Sequence, residues 1–173
     1  MKLILNKKGF TLIELLIYVA LLAGMTVMIA ETFIILNKGK GGVQAKSELN
    51  SNLRFVTERI KRDVSASSVL VSPVNTAATS SILELTIEGD IVKYFLNNGQ
   101  VVRQVGVLTP ENISSDKVRI TTLYFSRMEN TNPVLDKTKV GVEINISGAY
   151  NSTSPDWQYS SSEKASADLK TDL

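Results

Sequence analysis

The chain has 173 residues and contains neither histidine nor cysteine. Without histidine there is no Ser-His-Asp triad, no Cys-His nucleophile and no imidazole metal site. Without cysteine there are no disulfides, and cysteine usage says nothing about redox compartment. Oxygen-ligand sites fare no better. Asp63, Asp90, Asp116, Asp136 and Asp156 are scattered, without the close spacing of a calcium loop. No glycine-rich phosphate cradle follows a strand and opens a helix. Every acid has a simpler surface or turn role, so we expect no enzyme, no catalytic residue, no metal and no cofactor. The two signs of charge nearly cancel as well. The formal net charge is +2, and Lys2, Lys7 and Lys8 all lie in the first nine residues. Removing those three positives leaves −1, so the basic pI gives little support for nucleic-acid binding.

What the sequence does have is one long apolar run. It opens at Lys7-Lys8-Gly9-Phe10-Thr11-Leu12-Ile13-Glu14-Leu15-Leu16 and reaches about Leu36. Every residue from Leu15 through Ala30 is uncharged, with Glu14 and Glu31 as the flanking acids. At a helical rise of about 1.5 Å per residue those acids stand roughly 26 Å apart along the axis. A bilayer hydrocarbon core is about 30 Å thick. The segment therefore reads as a spanning helix with one carboxylate near each interface. Glu14 is the odd residue, because an intramembrane charge costs at least ~2.5–3.5 kcal/mol on insertion scales. A free amine at Phe10 would give it a cationic partner in a neighbouring subunit.

Lys7-Lys8-Gly9 followed by Phe10-Thr11-Leu12-Ile13-Glu14-Leu15-Leu16 resembles the cleavage-and-methylation signature of type IV pilin precursors, including the pseudopilins of type II secretion. The resemblance implies cleavage between Gly9 and Phe10 by a membrane-embedded prepilin peptidase, and N-methylation of the new Phe10 amine. It also implies that Glu14 guides the subunit into a helical filament with other pilins, through an inner-membrane assembly platform. Lys7 and Lys8 would be the basic leader residues. The expected location is the cytoplasmic (inner) membrane, single-pass, with a cytoplasmic N-terminus and an external head, and then a cell-surface or periplasmic filament. Nucleic acid would enter only through a competence pilus. Many major pilins carry a proline at the position of Glu31, so its absence points to a minor subunit. The alternative is a membrane-anchored (bitopic) binding or adhesion module that does not polymerise. Leu3-Ile4-Leu5 is too short for an ordinary secretory signal. The Lys7-Lys8 pair favours a cytoplasmic N-terminus, although Lys38 and Lys40 on the far side weaken that bias. A plain signal anchor explains neither Glu14 nor the Gly9-Phe10 junction.

The rest of the chain is read from its own pattern. Gly39-Lys40-Gly41-Gly42 raises the cost of a continuous helix by up to ~1 kcal/mol per glycine, which predicts a hinge at 37–42. Ala45, Leu49, Leu53, Val56, Ile60 and Val64 then form the apolar stripe of an amphipathic helix over about Val43 to Val69. Arg54, Glu58, Arg59, Lys61 and Arg62 lie largely off that stripe, and the interleaved acid and lack of aromatic platforms favour a solvated face over a DNA patch. Glu58-Arg59-Ile60-Lys61-Arg62-Asp63-Val64 resembles the helix end of minor pilins and pseudopilins of the J/W type. Asp63 is expected to cap or to form a local salt bridge.

Ser65 to Ser81 reads as a loop. Alternation then marks strands at Leu83–Ile87, Ile91–Leu96, Val101–Val107, Val118–Phe125 and Val140–Ile146, with turns at Gly89-Asp90 and Asn97-Asn98-Gly99. Met128–Lys139 reads as a loop and a candidate variable surface. The fold class is α+β, a long N-terminal helix (transmembrane half plus amphipathic half) packed by an antiparallel head sheet. The expected segments are leader 1–9, membrane or filament-core helix 10–36, hinge 37–42, head 43–150 and Ser-rich tail 151–173. In that tail an edge strand at Trp157–Tyr159 and disorder beyond Ser162 are expected.

Overall fold

A computed structural model of the chain describes residues 10–76, 78–134 and 137–170. Its elements are α1 (Leu12–Ala66), β1 (Val69–Ser72), β2 (Thr79–Ser80), β3 (Leu83–Ile87), β4 (Asp90–Asn97), β5 (Gln100–Val105), β6 (Glu111–Asn112), β7 (Val118–Asn132), β8 (Lys137–Tyr150), a 3-10 turn at Pro155–Trp157, and β9 (Ser160–Asp168). The chain forms two compact units that divide between Lys40 and Gly41.

The first unit is helix alone. Thr11 starts it: its hydroxyl accepts the Glu14 N–H at 3.3 Å and its carbonyl accepts the Leu15 N–H at 3.2 Å. From there every large apolar side chain through Leu36 is exposed. Soluble proteins rarely leave more than a few hundred Å² of contiguous apolar surface in water. The helix is long and apolar enough to cross a membrane.

The second unit begins with the remainder of α1. Ala45, Leu49, Leu53, Val56, Ile60 and Val64 are all buried, as the three-and-four spacing requires. Two antiparallel sheets enclose that stripe, ordered β1-β3-β4-β5-β6 and β2-β7-β8-β9. Leu83 and Leu85 of β3, Tyr94 of β4, Phe125 of β7 and Ile144 of β8 join the stripe in one core. In β7 the buried residues change from Val118 and Ile120 to Leu123 and Phe125. A bulge between Ile120 and Thr122 supplies the extra residue that lets both pairs face inward.

α1 is helical through Gly39, Gly41 and Gly42, the segment where the composition suggests a hinge. Four expectations need revision. Ser65–Ser81, expected as a loop, contains β1 and β2. The turn after β3 uses Glu88 and Gly89, both at positive φ, and Asp90 already belongs to β4. The loop expected at Met128–Lys139 is mostly strand, since β7 and β8 stay in register out to Asn132↔Lys137. Finally, the Ser-rich tail is ordered at the residues where disorder was expected. Trp157 lies in the 3-10 turn, and β9 pairs with β8 from Ser160 to Asp168 without a register shift. Backbone pairing orders a segment whose small side chains give little hydrophobic signal. Lys7, Lys8, Gly9, Asp136 and the last three tail residues lie outside the described residues.

Candidate functional site

The candidate site is the start of α1. Thr11 and Glu14 stand in the Thr-x-x-Glu spacing of a helix start, where the threonine hydroxyl satisfies one of the backbone N–H groups that no helical carbonyl can reach. Glu14 sits in the first turn, where the helix dipole favours an anion by ~0.3–1 kcal/mol. It is partly covered, unlike its neighbours on either side. Phe10 is exposed, and its ring meets Tyr18 edge-on at 6.1 Å between centroids. The structure thus sets Phe10 and Glu14 on either side of the Thr11 cap; the leader residues Lys7, Lys8 and Gly9 are not described.

Further along the apolar helix the hydroxyls are satisfied locally. Thr26 donates to the Leu22 carbonyl and Thr32 to the Met28 carbonyl, each at 2.8 Å. Neither therefore brings an unpaired donor into lipid or into a packed bundle. Glu31 is exposed.

The head holds a different polar cluster, at the far end of the amphipathic helix. Tyr94 donates its hydroxyl proton to Asp63 Oδ2 at 2.6 Å, and Arg103 Nε donates to the same oxygen at 2.8 Å. Arg103 Nε also reaches the Tyr94 hydroxyl at 3.1 Å. Burial, then the hydrogen bond to Asp63, push the Tyr94 hydroxyl pKa up. For Arg103, burial acts against the cation, but Asp63 and Tyr94 outweigh it and its pKa is raised. Asp63 is therefore tied to the sheet by a long-range pair, where the sequence suggested a cap or local bridge. Tyr94 and Arg103 were invisible as partners because they sit on β4 and β5, opposite one another across the pair. Thr11 was not singled out in the sequence; its three-residue spacing to Glu14 is the signal that could have found it.

The described residues contain no group of three His, Cys, Asp or Glu able to hold a metal ion. An open groove of about 610 Å³ is lined by serines, Gln44, Glu48, Asn52, Phe55 and Ile113.

Residues 4–30 match the family model described as the prokaryotic N-terminal methylation motif. No curated protein and no solved structure gives a significant match. The motif, with one long N-terminal helix followed by antiparallel sheet, is consistent with a type IV pilin-like protein. It supports a precursor of that type, which implies processing by a prepilin peptidase and assembly with other pilins. A membrane-anchored N-terminal helix carrying this motif fits an inner-membrane location.

Proposed function

We propose that the chain is a minor pilin or minor pseudopilin, cleaved between Gly9 and Phe10, methylated on the Phe10 amine and assembled into a type IV pilus, competence pilus or type II secretion pseudopilus. It would prime or cap the tip. The observation that carries this proposal is the methylation motif at residues 4–30, which leads into a helix whose apolar side chains are exposed on every side. Glu31 at a position where many major pilins carry proline favours a minor subunit. In the membrane the helix satisfies its own backbone and its threonines. In a filament, lipid contacts are exchanged for packing among Leu, Ile, Val and Ala side chains of neighbouring helices. A hinge at the Gly39–Gly42 segment would act at that step.

Glu14 has two jobs in this scheme, and a substitution separates them. As a first-turn acid it steadies its own helix; as a buried anion it neutralises the Phe10 amine of an adjacent subunit, which offsets the cost of both charges in lipid. Glu14→Gln keeps a residue suited to the helix start and removes the charge. Membrane insertion and head folding should be unchanged, while crosslinking to partner pilins and filament number should fall. Glu31→Gln, an equal loss of charge, should do much less. Near-wild-type assembly in both variants would instead favour the bitopic binding module.

A further inference from the structure

The ordered tail creates a feature that filament assembly through α1 does not use. β9 is the last strand of its sheet, with β8 on one side only. The pairing fixes which backbone groups are free. The Tyr150 N–H donates to the Tyr159 carbonyl at 2.9 Å, and the Leu169 N–H to the Val140 carbonyl at 3.0 Å. In an antiparallel pair, hydrogen-bonded residues alternate with residues whose N–H and C=O point away. Odd-numbered residues of β9 therefore bond to β8. Ser160, Ser162, Lys164, Ser166 and Asp168 turn their N–H and C=O groups outward. At the C-terminal end the row is closed, because the Lys170 N–H already donates to the Ser67 carbonyl at 3.2 Å.

Native proteins blunt such edges with bulges, prolines or very short strands. β9 has none of these: it is nine residues long, free of proline and without a register shift. Its charges are Glu163, partly covered and acted on by Arg54, Glu58 and Lys61 of the helix, and the exposed Lys164 and Asp168, which pair back onto Glu143 and Lys139 of β8. The helix flank beside β9 is cationic. Lys46 lies 5.8 Å from the centre of the Tyr159 ring, and Arg54 is exposed. Among the described residues neither is in an ion pair; of the acids beside this flank, Glu58 is already paired with Lys61 at 2.9 Å, and Glu163 feels both Arg54 and Lys61 without pairing to either.

We infer that the outer edge of β9 is a docking site for an extended segment of a partner protein, added as a further antiparallel or parallel strand and carrying acidic side chains toward Lys46 and Arg54. Backbone pairing with the outward groups supplies affinity, and the helix cations select the acids. A second copy of this chain is a poorer occupant. Full overlap of two β9 strands sets Lys164 against Lys164, and like charges directly opposite are destabilising.

The edge can be removed without touching the fold. Proline lacks the N–H and is tolerated at edge positions whose N–H faces solvent. Ser162→Pro with Ser166→Pro deletes two outward donors and no bond to β8. The probe is a capped nine-residue peptide alternating valine with glutamate, titrated into the detergent-solubilised full-length protein and compared with its valine–lysine counterpart. The glutamate peptide should bind at least about tenfold more tightly than the lysine peptide, and should slow hydrogen exchange of the outward amides of β9. The double proline variant and Arg54→Glu should each weaken binding about tenfold with thermal unfolding unchanged. Equal binding by both peptides, no binding, or binding indifferent to the prolines would overturn the assignment. So would a proline-sensitive dimer formed without peptide, which would give the edge to a second copy.

Discussion

At the scale of single residues, the head is fastened by Asp63. Its carboxylate takes both the Tyr94 hydroxyl and the Arg103 guanidinium, and all three side chains are largely withdrawn from water. Asp63→Ala would strand a cation and a phenol in a site shaped for an anion. We expect a loss of about 2–4 kcal/mol, read from denaturant unfolding of the head. An unchanged midpoint would show that solvent already serves these groups. Tyr94 adds a pH signature. Its folded pKa is raised above the usual tyrosine value of about 10, by burial first and by Asp63 second. The stabilisation is therefore complete below about pH 10 and is lost as pH rises through the folded pKa, because only the unfolded chain ionises easily. Tyr94→Phe should be less stable at neutral pH yet lose less on alkaline titration. Asp63 was visible in the sequence as a residue worth naming. Its partners were not, because nothing local links position 63 to positions 94 and 103; only the pairing of β4 with β5 brings them together.

At the scale of elements, periodicity carried most of the information. The helix stripe from Ala45 to Val64 and the alternation of β3 and β8 are properties of residues a few positions apart, so the sequence displays them directly. β9 has no such signal, because its order comes from β8. The glycine segment mixes both cases. Composition marks its weakness, but not that Trp157 packs against it: a Cβ added at Gly41 would lie 2.6 Å from the indole Nε1 and 2.8 Å from Cε2. The indole also stacks at a tilt on Tyr150, 5.8 Å between centroids. Gly41→Ala should gain roughly 1 kcal/mol of helix propensity while forcing the ring aside. Since Trp157 is the sole tryptophan, its emission reports this directly and should shift to longer wavelength. An unshifted spectrum in Gly41→Ala would mean that the ring does not rest on the helix.

At the scale of the whole molecule, the two units solve opposite problems. The head closes its own core around the helix stripe, so a fragment beginning at Gly41 should be soluble and monomeric. Ile60→Asp should unfold that fragment by placing an unpaired charge in the core. If its thermal transition survives unchanged, the stripe is not the core. The apolar helix from Leu12 to Leu36 buries nothing within its own unit, and only lipid or other helices can cover it. The methylation motif at residues 4–30 supports a type IV pilin-type precursor, whose helix would exchange lipid for other helices on assembly. The most direct test is the mass of the chain's first residues, measured on protein extracted from membranes of a host with an active prepilin peptidase. A mature chain that begins at Phe10 and carries a methyl group on its amine is expected, with Gly9→Val blocking the cut. Recovery of only the full-length chain, unmethylated and starting at Met1, would contradict it.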